Sequence, residues 1–231
     1  MNVAIIAAAG QGTRMGEARA KQFLELHGTP IIIHTLRRFE QCADIHEIFV
    51  VLPAADAPSF LTLASRYDLR KLTRVVTGGA TRAESVWRGL QAIRPATAEI
   101  VAVHDGVRPF VTPEEISRTV EAARTGGAAI LTARATDTIK EVENGEVRRT
   151  LARSQVRHAL TPQCFRYGLL RRAYEEAGEL SADITDDSFL VERLGERVSV
   201  VEGDARNIKI TRREDIVLAE IFLKQMSDVG R

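Results

Sequence analysis

NVAIIAAAGQGTRMGEARAKQF, residues 2–23, decides the architecture. The run NVAIIAA is apolar almost throughout, which reads as a strand buried on both faces rather than as an alternating surface strand. Gly10 and Gly12 end it, and Arg14 and Lys21 follow just beyond the break. Glycines there let a backbone approach a ligand closely and present N–H groups to anionic oxygens. Arg14 offers a bidentate fork to phosphate and Lys21 a point charge. An ordinary strand-to-helix turn with solvated cations is the plain alternative. The loop is not a Walker loop, because no Gly-Lys-Ser/Thr follows. It is not a dinucleotide fingerprint either, because after Gly10 and Gly12 the next glycine is Gly16, one position late.

Outward from this strand, strand and helix signals alternate. PIIIHTLRRFEQC (30–42) places Ile32, Leu36 and Phe39 on one helical face, and HEIFVVL (46–52) is a second strand. DAPSFLTLASRY reads as a helix and TRVVTGG as a third strand ending in glycine. TRAESVWRGLQAI follows, with Thr81 and Glu84 at capping-box spacing. EIVAVHDG is a fourth strand. TPEEISRTVEAARTGG carries Thr112 as cap, Pro113 at N1, Glu115 at N3 and Gly126 as a stop, and AAILTAR is another strand. RREDIVLAEIFLKQM closes the chain as a helix behind Thr211, with Glu214 in box position. This alternation predicts an α/β fold whose mostly parallel sheet is flanked by helices on both faces.

One stretch departs from the rhythm. In DTIKEVENGEVRRTLARS, Asn144-Gly145 between β-prone segments predicts a type I′ hairpin. A two-stranded ribbon is marginal by itself, so it rests either on its own domain as a flap or on a second subunit as an arm.

The totals bound the function. With 231 residues, 45% hydrophobic and 27% charged, and a formal net charge of +1, the chain suits one substantial core. Nothing in that balance calls for nucleic acid or a membrane. Cys42 and Cys164 have no paired spacing, so no disulfide framework or Cys-based zinc site is expected, and a cytoplasmic location fits. No apolar run reaches membrane-spanning length, and residues 1–10 lack a signal-peptide pattern.

In open α/β sheets ligands bind beyond the carboxyl ends of strands. Besides the first loop, VTGGATRAES and VAVHDGVRPF lie there. Gly78-Gly79-Ala80 allows close backbone approach, and Ser85 either caps or meets a ligand base. Asp105 either binds a metal or sugar hydroxyls, or pairs structurally with Arg108. His104 reads as a packing or hydrogen-bonding residue, and no Ser/His/Asp or Cys/His set is evident. In DARNIKITRRED, Lys209 sits in a short strand between Ile208 and Ile210, as a solvated edge or as a third cation of a polyphosphate site.

Taken together, AAAGQGTRMG…KQF, GGATRAESV, VHDGVRPF, DTIK, RHALTPQCF, ITDDSFL and NIKITRRED resemble the 2-C-methyl-D-erythritol 4-phosphate cytidylyltransferases, over nearly the whole chain. The resemblance implies a Rossmann-like nucleotidyltransferase fold in one domain, residues 1–231, with a dimerisation arm at about 136–155. It implies transfer of CMP from CTP to 2-C-methyl-D-erythritol 4-phosphate, releasing pyrophosphate, with Mg²⁺ or another divalent cation. Arg14, Lys21 and Lys209 match the catalytic cations, and Ala8, Ala9, Gly10, Gly79 and Ser85 match the cytidine pocket. Asp105, Arg108, Thr161, Thr185 and Lys209 match the methylerythritol phosphate site, with Asp105 also a metal contact. Thr138 and Arg153 match arm residues that reach the neighbouring subunit's substrate in a homodimer. Two positions depart from the family pattern: Ala20, where Pro is frequent, and Ala80, where Asp occurs.

The nearest rival is the ribitol 5-phosphate cytidylyltransferase group, then the sugar-1-phosphate nucleotidyltransferases. A regulatory nucleotide-binding module and a dehydrogenase are the readings from other classes.

Overall fold

The computed structural model describes residues 1–10, 21–95, 97–181 and 183–229. Arg14, Gly12, Gly16 and Ala20 lie outside these described residues.

Among them the first half runs β1 (Asn2–Ala7), a two-residue hairpin β2 (Glu25–Leu26) and β3 (Thr29–Pro30), α1 (Ile31–Gln41), β4 (Glu47–Leu52), α2 (Ala57–Ala64), β5 (Leu72–Thr77), α3 (Arg82–Gln91) and β6 (Ile100–Asp105). The second half runs α4 (Pro113–Gly126), β7 (Ala128–Arg134), β8 (Lys140–Glu143), β9 (Glu146–Thr150), β10 (Arg157–Arg166), α5 (Tyr167–Glu176), α6 (Asp187–Arg193), β11 (Ser199–Glu202) and α7 (Arg213–Val229). The central sheet has the order β11-β7-β10-β6-β1-β4-β5 among the described residues. β1 pairs in parallel with both β4 and β6, while β10 is antiparallel to β6 and β7.

β1 is buried on both faces for the reason its sequence gives. Ala4 and Ile6 join one core layer with Ile32, Leu36 and Phe39 of α1 and Ile116 and Val120 of α4. Val3 and Ile5 join the opposite layer with Val86 and Leu90 of α3 and Leu170 and Tyr174 of α5. A period-2 strand that is apolar at every position has two layers to feed. A smaller cluster of Leu26, Ile31, Val107, Phe110 and Ile210 lies beneath α7.

The chain leaves β1 toward β4 and β5 on one side and later places β6 on the other. β1 and β6 therefore form a topological switch point, where the loops beyond their carboxyl ends diverge and leave a crevice.

Local signals are realised with informative differences. The Thr112–Glu115 capping box is complete. At α3 only half of the box forms: Thr81 accepts from the Glu84 N–H, but the Glu84 carboxylate accepts from the N–H of Ala80 at 2.7 Å. At α7 the expected Thr211–Glu214 box is replaced. Asp215 accepts from the backbone N–H groups of Thr211 and Arg212 and from the Thr211 hydroxyl, at 2.7, 2.8 and 3.0 Å. α4 runs through Gly126, and the positive φ of 92° falls at Gly127. Asn144 and Gly145 have φ of 51° and 84°, as a type I′ turn requires, and β8 and β9 pair across them. The Lys209 segment is not a strand; residues 207–210 carry no regular secondary structure.

Candidate functional site

The crevice at the switch point is a cavity of about 520 Å³. One wall is the end of β1, Ala8 to Gly10; the other is the turn into α3, Gly79 to Arg82, with Ser85. Lys21, Asp105 and Lys209 also line it.

The two backbone walls touch. A Cβ added to Gly78 would lie 2.4 Å from the Ala9 Cβ and 2.9 Å from Ser85 Oγ. One added to Gly79 would lie 2.4 Å from the Glu84 Cβ. Glycine is required at both places by space rather than by φ. Ser85 is buried and committed: its hydroxyl donates to the Thr81 carbonyl at 2.8 Å and accepts from the Gly79 N–H at 3.0 Å. It therefore shapes the loop. The Ala80 N–H is taken by Glu84, so the backbone donor at this departure from the family pattern is already used. On the β1 side, the buried Gln22 donates its amide to the Ala8 carbonyl at 2.8 Å, tying the Lys21 turn to the strand end.

Asp105 is the electrostatic centre. Arg82 Nε lies 3.2 Å from Oδ1; Arg108 Nε and Lys209 Nζ lie 3.3 and 2.9 Å from Oδ2. Burial alone would raise the Asp105 carboxyl, but Arg82, Lys209 and Arg108 overcome it and hold the group well below the usual carboxylate range. One carboxylate facing three cations leaves the cluster with a surplus of positive charge, a setting for an anionic ligand.

Arg82 is fixed from behind. Its Nη2 donates to Asp187 at 2.8 Å, and Tyr174 donates its hydroxyl to the same fully buried carboxylate at 2.6 Å. Burial pushes the Tyr174 hydroxyl up, and the adjacent Asp187 adds to that, so it stays a donor. Arg82 Nη1 is buried with no hydrogen-bond partner among the described residues. Asp187 opens α6, whose N-cap Asp186 accepts from the Phe189 N–H. Sequence reasoning did not single out Arg82, Asp187, Tyr174 or Gln22. The doubled acid of ITDDSFL was the available signal: Asp186 caps the helix, leaving Asp187 to face inward.

Arg108 donates from Nη1 to the Asn207 carbonyl at 2.8 Å, and Ile210 N donates to the Val107 carbonyl at 3.0 Å. These bonds bring Lys209 onto Asp105. Of the sequence alternatives for Asp105, the pair with Arg108 forms, as part of an ion cluster shared with Arg82 and Lys209.

The structure brings together Ala8, Ala9, Gly10, Lys21, Gly79, Ser85, Asp105 and Lys209 as cavity lining. Arg108 and Thr161 stand behind that lining, bonded to Asp105. Thr185, Thr138 and Arg153 are exposed, the last two at the base of the β8–β9 ribbon. Residues 142–150 of the ribbon are all exposed. Cys42 and Cys164 are both buried with free thiols, and burial pushes the Cys164 thiol up, out of nucleophile range.

Asp105 is the one carboxylate among the described residues lining the cavity, and no cluster of three or more His, Cys, Asp or Glu exists among them. The described residues alone therefore offer no ready-made cage for a divalent cation. A Mg²⁺ carried on ligand phosphates fits, because that ion needs only one or two carboxylates beside phosphate oxygens and water. Oδ1 of Asp105 meets Arg82 alone and retains acceptor capacity, whereas Oδ2 already serves both Arg108 and Lys209. No described helix is long and apolar enough to cross a membrane.

Comparison with known proteins agrees with this geometry. The family model for 2-C-methyl-D-erythritol 4-phosphate cytidylyltransferase matches residues 2–225. A protein of that name from Geobacter metallireducens is 44% identical over 225 residues, covering 96% of this chain and 97% of the relative. One from Bacillus velezensis is 43% identical over 226 residues, covering 97% of both. The crystal structure of 4-diphosphocytidyl-2C-methyl-D-erythritol synthase from Anaerococcus prevotii superposes with a TM-score of 0.85 at 36% identity, over 96% of each chain. The cytidylyltransferase structure from Thermus thermophilus gives 0.75 at 35% identity, over 96% of this chain and 98% of the other.

Proposed function

Since the chain belongs to the 2-C-methyl-D-erythritol 4-phosphate cytidylyltransferase family, we propose how its residues divide the reaction. The enzyme transfers CMP from CTP to 2-C-methyl-D-erythritol 4-phosphate, giving 4-diphosphocytidyl-2-C-methyl-D-erythritol and pyrophosphate, in non-mevalonate isoprenoid precursor synthesis. The observation that carries the assignment of roles is the Asp105 cluster, with Arg82, Arg108 and Lys209 on one carboxylate at a glycine-walled cavity.

The attacking group is a phosphate, dianionic at neutral pH because its second pKa is near ~6. Its oxygen bonds to the α-phosphorus of CTP as the bond to pyrophosphate breaks, and no proton has to be removed. The obstacle is repulsion between anions and the charge growing on the leaving group. Positioning and fixed cations answer both. Arg14 and Lys21 act on the triphosphate, and Lys209 faces the reacting phosphates. Ala8, Ala9, Gly10, Gly79 and Ser85 form the cytidine side. Arg108, Asp105 and Thr185 form the methylerythritol phosphate side, where Arg82 Nη1 is a further donor in need of an acceptor. Asp105 would be the protein contact for a Mg²⁺ carried on the CTP phosphates, where such an ion would supply neutralisation of phosphate charge.

We further propose a cytoplasmic homodimer of single-domain subunits. The exposed ribbon supports this, since it presents Val142 beside Val147 with no cover among the described residues. Thr138 and Arg153 at its base would act in the neighbouring subunit's site.

The test is pyrophosphate release with Mg²⁺ and CTP, comparing methylerythritol 4-phosphate with ribitol 5-phosphate. Release with the former alone is expected. Preference for ribitol phosphate, or silence with both despite CTP binding, would overturn the reading.

A further inference from the structure

His104 is fully buried, one residue before Asp105, with its ring 4.8 Å from that of Phe39. Its Nε2 lies 3.0 Å from the Arg108 carbonyl oxygen. A carbonyl only accepts, so Nε2 carries the hydrogen, and in a neutral imidazole Nδ1 is then the acceptor. Thr161 Oγ1 lies 2.9 Å from Nδ1 and therefore donates to it. The same Oγ1 accepts the Asp105 N–H at 3.2 Å. A threonine hydroxyl has one hydrogen, and His104 takes it. A substrate phosphate is acceptor-only, so Thr161 has no hydrogen to offer one.

The threonine backbone extends the same chain. Its carbonyl accepts from the buried Asn207 amide at 2.8 Å, and the Asn207 carbonyl accepts from Arg108 Nη1 at 2.8 Å. The β10 ladder to β7 is interrupted between Ala159 and Gln163, which frees Thr161 for these bonds. Pro162, with no N–H to give, sits inside the interruption.

We propose that His104 is a positioning residue: through Thr161 it sets the Asp105–Arg108 turn and the Asn207–Lys209 segment. On this proposal Thr161 serves the site through that chain and not by holding the substrate phosphate. The inference rests on the cytidylyl-transfer reading, because its effect is measured on that reaction. The charged groups facing the ring are Asp105 and Arg108, and burial, the larger influence, keeps it neutral at neutral pH.

Two measurements test it. The first is ¹⁵N NMR of the histidine-labelled protein at neutral pH, with His104 identified by its loss in His104→Gln. A protonated Nε2 and unprotonated Nδ1 are expected, with the Nδ1 resonance displaced in Thr161→Val. Protonation at Nδ1 overturns the proposal. The second is steady-state kinetics. Thr161→Val and His104→Gln should each lower kcat, by up to roughly 10²-fold, with KM for methylerythritol phosphate within about threefold. The double variant should be no worse than the poorer single one, as for residues acting in one chain. Thr161→Ser, which restores the hydroxyl, should recover turnover.

A rise in KM confined to Thr161→Val, with His104→Gln turning over normally, overturns the proposal in favour of direct contact. Equal kcat in all folded variants also overturns it, by reducing the chain to a purely structural one. A wild-type enzyme that releases no pyrophosphate would remove the cytidylyl-transfer reading, whereas the tautomer measurement judges the hydrogen-bond chain on its own.

Discussion

Lys209 Nζ lies 2.9 Å from Asp105 Oδ2, joining the segment ahead of α7 to the carboxyl end of β6. The lysine is 37% exposed and the carboxylate 8%. One end of this pair is anchored within the protein and the other faces the cavity. The arrangement holds a cation ready for phosphate while leaving it free to exchange partners.

Lys209→Ala and Lys21→Ala should each lower turnover by on the order of 10²–10³ with the fold retained. Pyrophosphate release alongside circular dichroism checks this, and near-normal turnover would remove the residue from the mechanism.

Asp105→Asn removes the shared partner of three cations. Arg82 keeps Asp187 and Arg108 keeps the Asn207 carbonyl, so Lys209 loses most. A loss of about 3 kcal/mol is expected, the low end for breaking a buried pair because one partner is half exposed. Urea unfolding of the variant at neutral pH measures it, and an unchanged midpoint would show that the cluster does not support the fold.

Gly78→Ala places a Cβ 2.4 Å from the Ala9 Cβ and 2.9 Å from Ser85 Oγ. The two walls of the cytidine side must part, at a stability loss of roughly 1–3 kcal/mol, and KM for CTP should rise more than KM for the second substrate. Equal changes in both would place the damage elsewhere.

Burial chiefly, with the neighbouring Arg108 guanidinium adding to it, pulls the His104 imidazole from 6.5 down to about 4. Between those values the unfolded chain binds a proton that the native protein does not. His104 therefore contributes its stability fully above about 6.5, and that contribution is lost as pH falls toward 4, by roughly 3 kcal/mol over the window. Asp105, with its carboxyl held below the ordinary 3.8, adds a smaller slope of the same sign only at the acid end of this window, where the unfolded carboxyl starts to take up protons. Unfolding midpoints at pH 7 and 4.5 should differ more in the wild type than in His104→Asn, and parallel curves would count against the assignment.

Replacing the ribbon Lys140–Thr150 with a short turn should leave thermal stability almost unchanged, because its side chains are largely exposed. Sedimentation should then report a monomer, and turnover should fall. A dimer of full activity would dispose of the arm's proposed role.

Much of the fold was readable because it rests on local rules. The β1 run, the Thr112–Glu115 box and the Asn144-Gly145 turn each carry their signal within a few residues. The α7 cap was misplaced by one residue because Glu214 and Asp215 are both acids in reach of Thr211, and geometry selects the second. β10 was not anticipated as a strand, since RHALTPQCFR contains a proline and pairs only with strands distant in sequence.

The sequence by itself determined the alternation of strands and helices and the glycine loops, because periodicity and turn chemistry are properties of neighbouring residues. Only the tertiary structure decided that Arg82 bridges Asp105 to a buried Asp187, and that Thr161 spends its hydrogen on His104. Those assignments depend on which polar groups are shut away from water together. A buried donor or acceptor must find its partner wherever the packing of distant segments puts one.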